Sequence, residues 1–321
     1  MSPSTNPFPN LPLDVERLIL ECAAEHDRAM ALQLACLSKR VEQWIEPIIY
    51  RRVSIEYRWQ AEAFLRTIES SSKPASFFAN YVKAVCFAYG IKFPQATKIL
   101  ATCPNISSLA CWIEPTQHSV ETEDEDAPKT DYLNVVKLSR TVSAAHIRPR
   151  RLSVTLSHLL CTPDPDFTAS LLSNVTHLDI YQGSQYFQDW SWTGFGELNN
   201  LTHVSFDLSV SSPLETVHHF LARCPKSVQL CLVQFTTRDS MIDSIEEFFS
   251  LEQRVQKMIA GDVDPRIVVG TTEPLKEGSK FAGSVVVRPY EEVVKDWSYT
   301  PDGQNDAWME AEEIQCRRVK I

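Results

Sequence analysis

The chain has 321 residues, a net charge of −10 and 44% hydrophobic residues. That apolar share supports a sizeable core and argues against wholesale disorder, while the acidic balance repels phosphate backbones and makes nucleic acid a poor partner. No run of 18 apolar residues occurs, so no membrane-spanning helix is expected.

The stretch from Met1 to Pro7 is polar and proline-rich. It lacks the basic and apolar regions of a secretion signal, so an intracellular protein of the cytoplasm or nucleus is expected, with its nine cysteines reduced. None pairs as CxxC and none sits near histidine at zinc-finger spacing. Cys86, Cys111 and Cys231 lie among apolar neighbours, where a thiol is usually a small core residue. No metal and no cofactor is expected.

Leu11 and Pro12 open the first expected helix, since proline suits a position whose N–H would be unpaired anyway. Asp14 and Glu16 favour its positive end. Val15, Leu18, Ile19 and Cys22 recur at helical spacing on one face. The pattern breaks at Glu25-His26-Asp27. Ala31, Leu32, Leu34, Ala35 and Leu37 form a second apolar segment. Ser38 is placed to cap a third helix, whose face is Val41, Trp44, Ile45 and Ile48; Pro47 should end or kink it near Glu46. Three such short helices bury too little surface to stand alone.

These residues resemble the F-box of the large fungal F-box families. Leu11-Pro12-x-Asp14-Val15 is similar to the family's opening. Leu34-Ala35-Cys36-Leu37-Ser38-Lys39 is similar to its junction between helices two and three, and Trp44-x-x-Pro47-x-x-Tyr50-Arg51 to its close. The resemblance covers residues 9–56. It implies docking onto a Skp-type adaptor of a cullin-RING ubiquitin ligase, with Leu11, Pro12, Val15, Ile19, Leu32 and Leu34 at or near the docking surface. A helical cap that uses these residues only as core is the bland alternative.

After a linking helix over Arg58–Ser70, short apolar triplets recur: Val85-Cys-Phe87, Leu109-Ala-Cys111, Leu152-Ser-Val154, Leu178-Asp-Ile180, Val204-Ser-Phe206 and Leu230-Cys-Leu232. Their leading residues are 24, 43, 26, 26 and 26 positions apart. The long step holds an acidic stretch, Glu121–Asp126, so an exposed, mobile insertion over 116–130 restores the period. One strand per 20–29 residues is the leucine-rich-repeat signature. Helix-like stretches fill the spacers at Gln95–Thr102, Tyr132–Ala145, Phe167–Leu172 and Leu214–Arg223. The usual Asn or Cys after each strand is absent: Gly90, Glu114, Gly183 and Ser209 hold those slots. The expected fold class is therefore α/β, a three-helix F-box-like module followed over 57–239 by an irregular leucine-rich-repeat-like solenoid with a mostly parallel sheet. The six strands should lie side by side in chain order.

Residues 240–321 leave the period. A helix over Asp243–Met258, strands over Arg266–Gly270 and Ser284–Arg288, and a last helix over Asn305–Arg317 are expected to cap the open end of the repeats.

Few motifs carry chemistry. The sequons at Asn105, Asn174 and Asn200 share one repeat position and read as turn residues. Gly194-Phe-Gly196 lacks the third glycine and preceding strand of a dinucleotide loop, and neither GxSxG nor a GKS/GKT loop occurs. His177 and His203 recur at one repeat register and read as repeat-surface residues. Tyr186, Phe187, Trp190 and Trp192 crowd one expected loop, and aromatic clusters anchor interfaces; they are the candidate anchors for an unknown target protein. The leading expectation is a non-enzymatic recruiter of targets to a cullin-RING complex. A repeat scaffold without a ligase role, and a hydrolase, are the rivals.

Overall fold

The computed structural model describes residues 11–113, 127–181, 190–209, 214–236, 253, 255–260, 263–272, 283–298 and 306–319, apart from positions 75, 89 and 163. Helix α1 (Leu13–His26) starts where the Pro12 carbonyl accepts the N–H groups of Val15 and Glu16, both at 3.0 Å. Helix α2 (Arg28–Ala35) begins at the expected break, where the Asp27 carboxylate accepts from Ala29 N and Met30 N. Ser38 caps α3 (Lys39–Arg51) by accepting from Val41 N at 3.2 Å.

Of the two effects expected of Pro47, an end or a kink, the end does not occur: α3 runs on to Arg51. Proline deletes one intrahelical donor, and packing offsets the loss. Ile48 and Ile49 lie against the cluster of Val41 and Ile45, and the Tyr50 ring meets Phe64, Phe77 and Phe78 at 5.3–6.3 Å.

From there the chain builds one open sheet of nine parallel strands in chain order. They are β1 (Arg52–Ile55), β2 (Ala84–Phe87), β3 (Ser108–Cys111), β4 (Arg151–Val154), β5 (His177–Ile180), β6 (His203–Ser209), β7 (Leu230–Thr236), β8 (Ile267–Thr271) and β9 (Val285–Val287). Between them run α4 (Arg58–Ser70), α5 (Ser76–Tyr81), α6 (Phe93–Thr102), α7 (Ala127–Ala144), α8 (Leu156–Leu159) and α9 (Leu214–Leu221). The six expected strands are neighbours in the expected order. The sheet also extends beyond them at both ends: β1 adds residues 52–55 of the expected helical module, and the two strands expected over Arg266–Gly270 and Ser284–Arg288 form as β8 and β9 and continue the sheet in parallel instead of standing apart as a cap. Helix α7 begins at Ala127, so positions 127–130 of the expected insertion are helical; residues 114–126 lie outside the described residues. Of the helix expected over Asp243–Met258, only helical positions 253 and 255–259 are described.

Register explains the core. Val85, Leu109, Leu152, Leu178 and Val204 are successive partners across the sheet. With Phe87, Val154, Ile180 and Phe206 they face the spacer helices in one large core. At β7 the register slips by one from the triplet spacing: Cys231, not Leu230, is the partner of Val204. Leu230 and Leu232 therefore turn to the opposite face.

A polar ladder joins the repeats at the strand entrances, although the expected Asn or Cys slots are empty. Arg150 N donates to Ser107 O, Thr176 N to Arg150 O, Thr202 N to Thr176 O and Gln229 N to Thr202 O, at 2.7–2.9 Å. The Thr176 and Thr202 hydroxyls donate to the same carbonyls as their own backbones. The Asn105 and Asn200 amides each donate to a carbonyl of the preceding unit, Ala79 O and Ser173 O. This is the turn role expected for those two sequon asparagines.

After β9 the chain returns across the sheet. Helix α10 (Tyr290–Ser298) lies against β1 to β3 and α11 (Ala307–Val319) against β7 to β9. The described architecture is three-layered: spacer helices, sheet, and these two helices on the other face.

Candidate functional site

Two places stand out, for opposite reasons. The first is the outer surface of α1 and α2. The apolar face read from the sequence as Val15, Leu18, Ile19 and Cys22 is not the face α1 buries. Burial falls on Ala24, with Leu20 half-buried beside it, while Leu18 is 66% exposed and Ile19 also faces solvent. Seven of the eleven exposed large apolar side chains among the described residues lie between Leu11 and Leu37: Leu11, Leu13, Leu18, Ile19, Met30, Leu32 and Leu37. Of the expected docking residues, Leu11, Pro12, Ile19 and Leu32 are exposed and Val15 is half-buried. Leu34 is a correction: at 9% exposure it belongs to the small core of the module with Ala31, Val41 and Ile45. Apolar concentrations of this kind on a soluble surface mark interaction sites.

A groove of about 110 Å³ lies where this module meets the sheet, lined by Glu25, Arg28, Ile48, Arg51 and Arg52 among others. Its cations have structural partners. Arg51 pairs with Glu25 at 2.6 Å and Arg28 donates to Arg52 O. They sit by the negative ends of α1 and α3, which positive charge stabilises.

The second place is the sheet face opposite the spacer helices. Cys86, Ala110, Ser153, Asp179, Ser205, Leu232 and Val268 form one row across β2 to β8, with Arg151, His177, His203 and Leu230 in the row before it. This face is apolar at both ends and polar in the middle. The covering helices match that pattern. Val294 and Trp297 of α10 join Cys86, Ala110 and Trp112, and Trp308, Ala311 and Ile314 of α11 join Leu230, Leu232, Val268 and Val286.

The polar centre is closed by a chain of hydrogen bonds. Trp112 Nε1 donates to Ser153 Oγ at 2.7 Å, and Ser153 Oγ donates to Asp179 Oδ2 at 2.5 Å. Gln234 Nε2 donates to Ser205 Oγ at 2.9 Å, and Ser205 hydrogen-bonds Asp179. Burial nevertheless pushes the Asp179 carboxyl up to about 6, against the two serine hydrogen bonds that lower it. Arg151 pairs with Asp306 at 2.7 Å, both side chains nearly buried, and its guanidinium lies 5.1 Å over the Trp297 ring. Arg288 reaches Asp296 and Glu310, each at 3.2 Å. Burial, opposed by Arg288, raises Asp296 to about 6.

The two repeat histidines, expected on the surface, lie under α11, His203 buried and His177 half-buried. Their rings stack at 4.2 Å, and both meet the Trp308 ring edge-on at 5.6 and 5.7 Å. Burial, helped by His203 and by Arg151 and Arg150, lowers His177 to about 3. His203 Nε2 lies 2.9 Å from Glu312 Oε1.

The expected aromatic anchors divide differently. Trp190 and Trp192 are buried, and Trp192 stacks on Phe167 at 5.5 Å. They fill the core beside Phe195 and Phe220, so they are not surface anchors. Gly194, at φ +81°, closes the turn behind them; a Cβ there would come within 2.7 Å of Thr168 Cγ2. Tyr186 and Phe187 lie outside the described residues.

Ser153 gives its single proton directly to a carboxylate with no imidazole between, which is not the geometry of an activated nucleophile. Burial raises the thiols of Cys103, Cys111 and Cys224 to about 12 and that of Cys231 well above its ordinary value, leaving little thiolate. Among the described residues, no three His, Cys, Asp or Glu side chains converge to hold a metal, and no helix is long and apolar enough to cross a membrane. No family model matches the chain, and no curated protein matches it in sequence.

Proposed function

We propose that residues 9–56 are an F-box-like module that docks the chain on a Skp-type adaptor of a cullin-RING ubiquitin ligase, and that the following leucine-rich-repeat-like units recruit a target protein. The observation that carries this reading is the solvent-facing apolar surface of α1 and α2. A helix that only capped the sheet would turn Leu18 and Ile19 inward; here they face solvent together with Leu11, Leu32 and Leu37. The resemblance of Leu11–Tyr50 to the F-box pattern names the kind of partner. Tyr50, held between Phe64, Phe77 and Phe78, ties the module to the sheet, so a docked adaptor and a recruited target would be held in fixed relation. The chain then supplies binding surfaces, and other subunits of the ligase supply the transfer chemistry.

A repeat scaffold with a helical cap is the nearest rival. It accounts for the packing of α3 on β1 and α5 but assigns nothing to Leu18, Ile19, Leu32 and Leu37. The test is co-purification of the full chain with a recombinant Skp-type adaptor. Recovery of the adaptor by the wild-type chain, and its loss on Leu18→Ser with Ile19→Ser while the far-UV signal persists, is the expected result. No recovery by the wild type, or recovery unchanged by the double substitution, overturns the proposal.

A further inference from the structure

The sheet face that α10 and α11 cover is built like a recognition surface. In stacked-repeat proteins, one broad sheet surface commonly receives the partner. Here the centre of that surface presents the guanidinium of Arg151, with that of Arg288 beside it, within a chain of net charge −10. What lies over it is acidic: Asp306, Glu310 and Glu312 of the α11 segment meet Arg151, Arg288 and His203 respectively. Helix α11 inserts one narrow apolar stripe, Trp308, Ala311 and Ile314, at three-residue spacing. Its remaining attachments are polar: Gln315 Nε2 donates to Gln229 O and Pro265 O, and Arg318 donates to Ile267 O and Ser284 O. By contrast the spacer helix α6 buries five side chains, Phe93, Ala96, Thr97, Ile99 and Leu100, in the main core.

We propose that α11 is an internal ligand of this face, and that the face receives a target helix of the same chemistry: acidic, amphipathic, with a tryptophan and two smaller apolar residues at three-residue intervals. The target displaces α11 and takes over its pairing with Arg151 and His203. The inference rests on the target-recruiting reading above but involves the adaptor nowhere. Charge complementarity selects an acidic helix over a basic one, because a basic helix would place like charge against Arg151 and Arg288 in a site poor in water, where charges interact strongly. The apolar end of the face under α11 fixes the register of such a helix, and the polar centre rewards only the correct charge.

Two measurements test it on the full chain without adaptor. Hydrogen exchange followed by mass spectrometry should show the amides of 307–319 exchanging at least tenfold faster than those of β4 to β7. Exchange of both at one common rate would show that α11 leaves only on global unfolding, and would overturn the proposal. In the second, a fluorescent synthetic peptide of residues 305–321 is titrated onto the full-chain variant Trp308→Ala with Ile314→Ala, in which the internal helix is weakened. The variant should bind it at least tenfold more tightly than the wild-type chain does. The same peptide carrying Asp306→Lys and Glu312→Lys should not bind. Equal binding of the acidic and lysine peptides, or none by a variant that keeps a cooperative melting transition, overturns the proposal; if the variant does not fold, the exchange measurement on the wild type decides. Loss of adaptor recovery would leave both results unchanged, so the two proposals fail separately.

Discussion

Helices α1 and α2 place Leu18, Ile19, Leu32 and Leu37 in solvent, whereas strands β4 to β6 enclose Arg151, Asp179, Ser205 and His203. Each arrangement costs free energy on its own. Exposed apolar surface forgoes about 25 cal/mol per Å² that burial would return, and enclosed charge loses several kcal/mol of hydration per ion. The compensation differs. Around β4 to β6 it is internal, since Ser153, Ser205, Asp306 and Trp297 surround the enclosed groups. Around α1 and α2 no side chain of the described residues covers the apolar surface, and under the docking proposal the compensation comes from the adaptor. Internal compensation makes a region sensitive to substitution; external compensation makes it tolerant until the partner is present.

The largest expected effect is therefore inside the sheet. Arg151→Ala leaves Asp306 enclosed and removes its charged partner, which should lower the unfolding free energy by about 3–5 kcal/mol in chemical denaturation. Replacing both partners with apolar residues of similar volume, Arg151→Met with Asp306→Leu, should recover most of that loss. If the single and double variants are equally unstable, the ion pair is not what the region depends on.

A smaller effect depends on pH. The Asp179 carboxyl is raised in the fold to about 6 from an ordinary 3.8. Its contribution is thus fully present below about pH 4, is lost as pH rises through 6, and stays lost above. Asp179→Asn cannot lose that proton. The stability of the variant relative to wild type should therefore rise by about 3 kcal/mol between pH 4 and pH 8, from a shift of roughly two pH units at 1.36 kcal/mol each. A difference that is flat with pH contradicts the enclosed-carboxylate account. His177, lowered to about 3 from 6.5, works in the other direction. It contributes stability above pH 6.5 that is lost as pH falls through that value towards 3, so His177→Gln should shallow the acid limb of the wild-type profile.

The smallest expected change in stability is in the module. Leu18→Ser and Leu32→Ser should each move the unfolding free energy by no more than about 0.5 kcal/mol. With a Skp-type adaptor present, each should weaken association more than tenfold, since a central apolar anchor contributes about 2 kcal/mol. Isothermal titration calorimetry beside thermal melting separates the two. A fall in melting temperature as large as that of Arg151→Ala would show that the surface is core after all.

The strand order was legible because a 26-residue spacing leaves little choice once strands are parallel. The slip at β7 was not. Leu230-Cys231-Leu232 is apolar on both faces, so the triplet does not report its own register; Leu230 and Leu232 can be apolar only because α11 covers that side. The polar centre had a signal that went unread, the polar middle residues Ser153, Asp179 and Ser205 of three otherwise apolar triplets. Its enclosure comes from residues 288–314, more than eighty positions further along the chain, and no local pattern carries that information. In the module, helical spacing marked Leu18 and Ile19 as one face but could not say whether that face turned in or out. For Trp190 and Trp192, crowding of aromatics suggested a surface patch. Their contacts with Phe167 and Phe220 join segments that the sequence places well apart.

The return of α11 across the sheet has a bearing on synthesis. Domains begin to fold as they emerge from the ribosome, and Asp306 is made 155 positions after its partner Arg151. Through that interval the nascent strands β4 to β6 turn Ser153, Asp179 and Ser205 towards water. A hydrophilic strip of this kind offers less to face-to-face sticking of neighbouring sheets than an apolar one would.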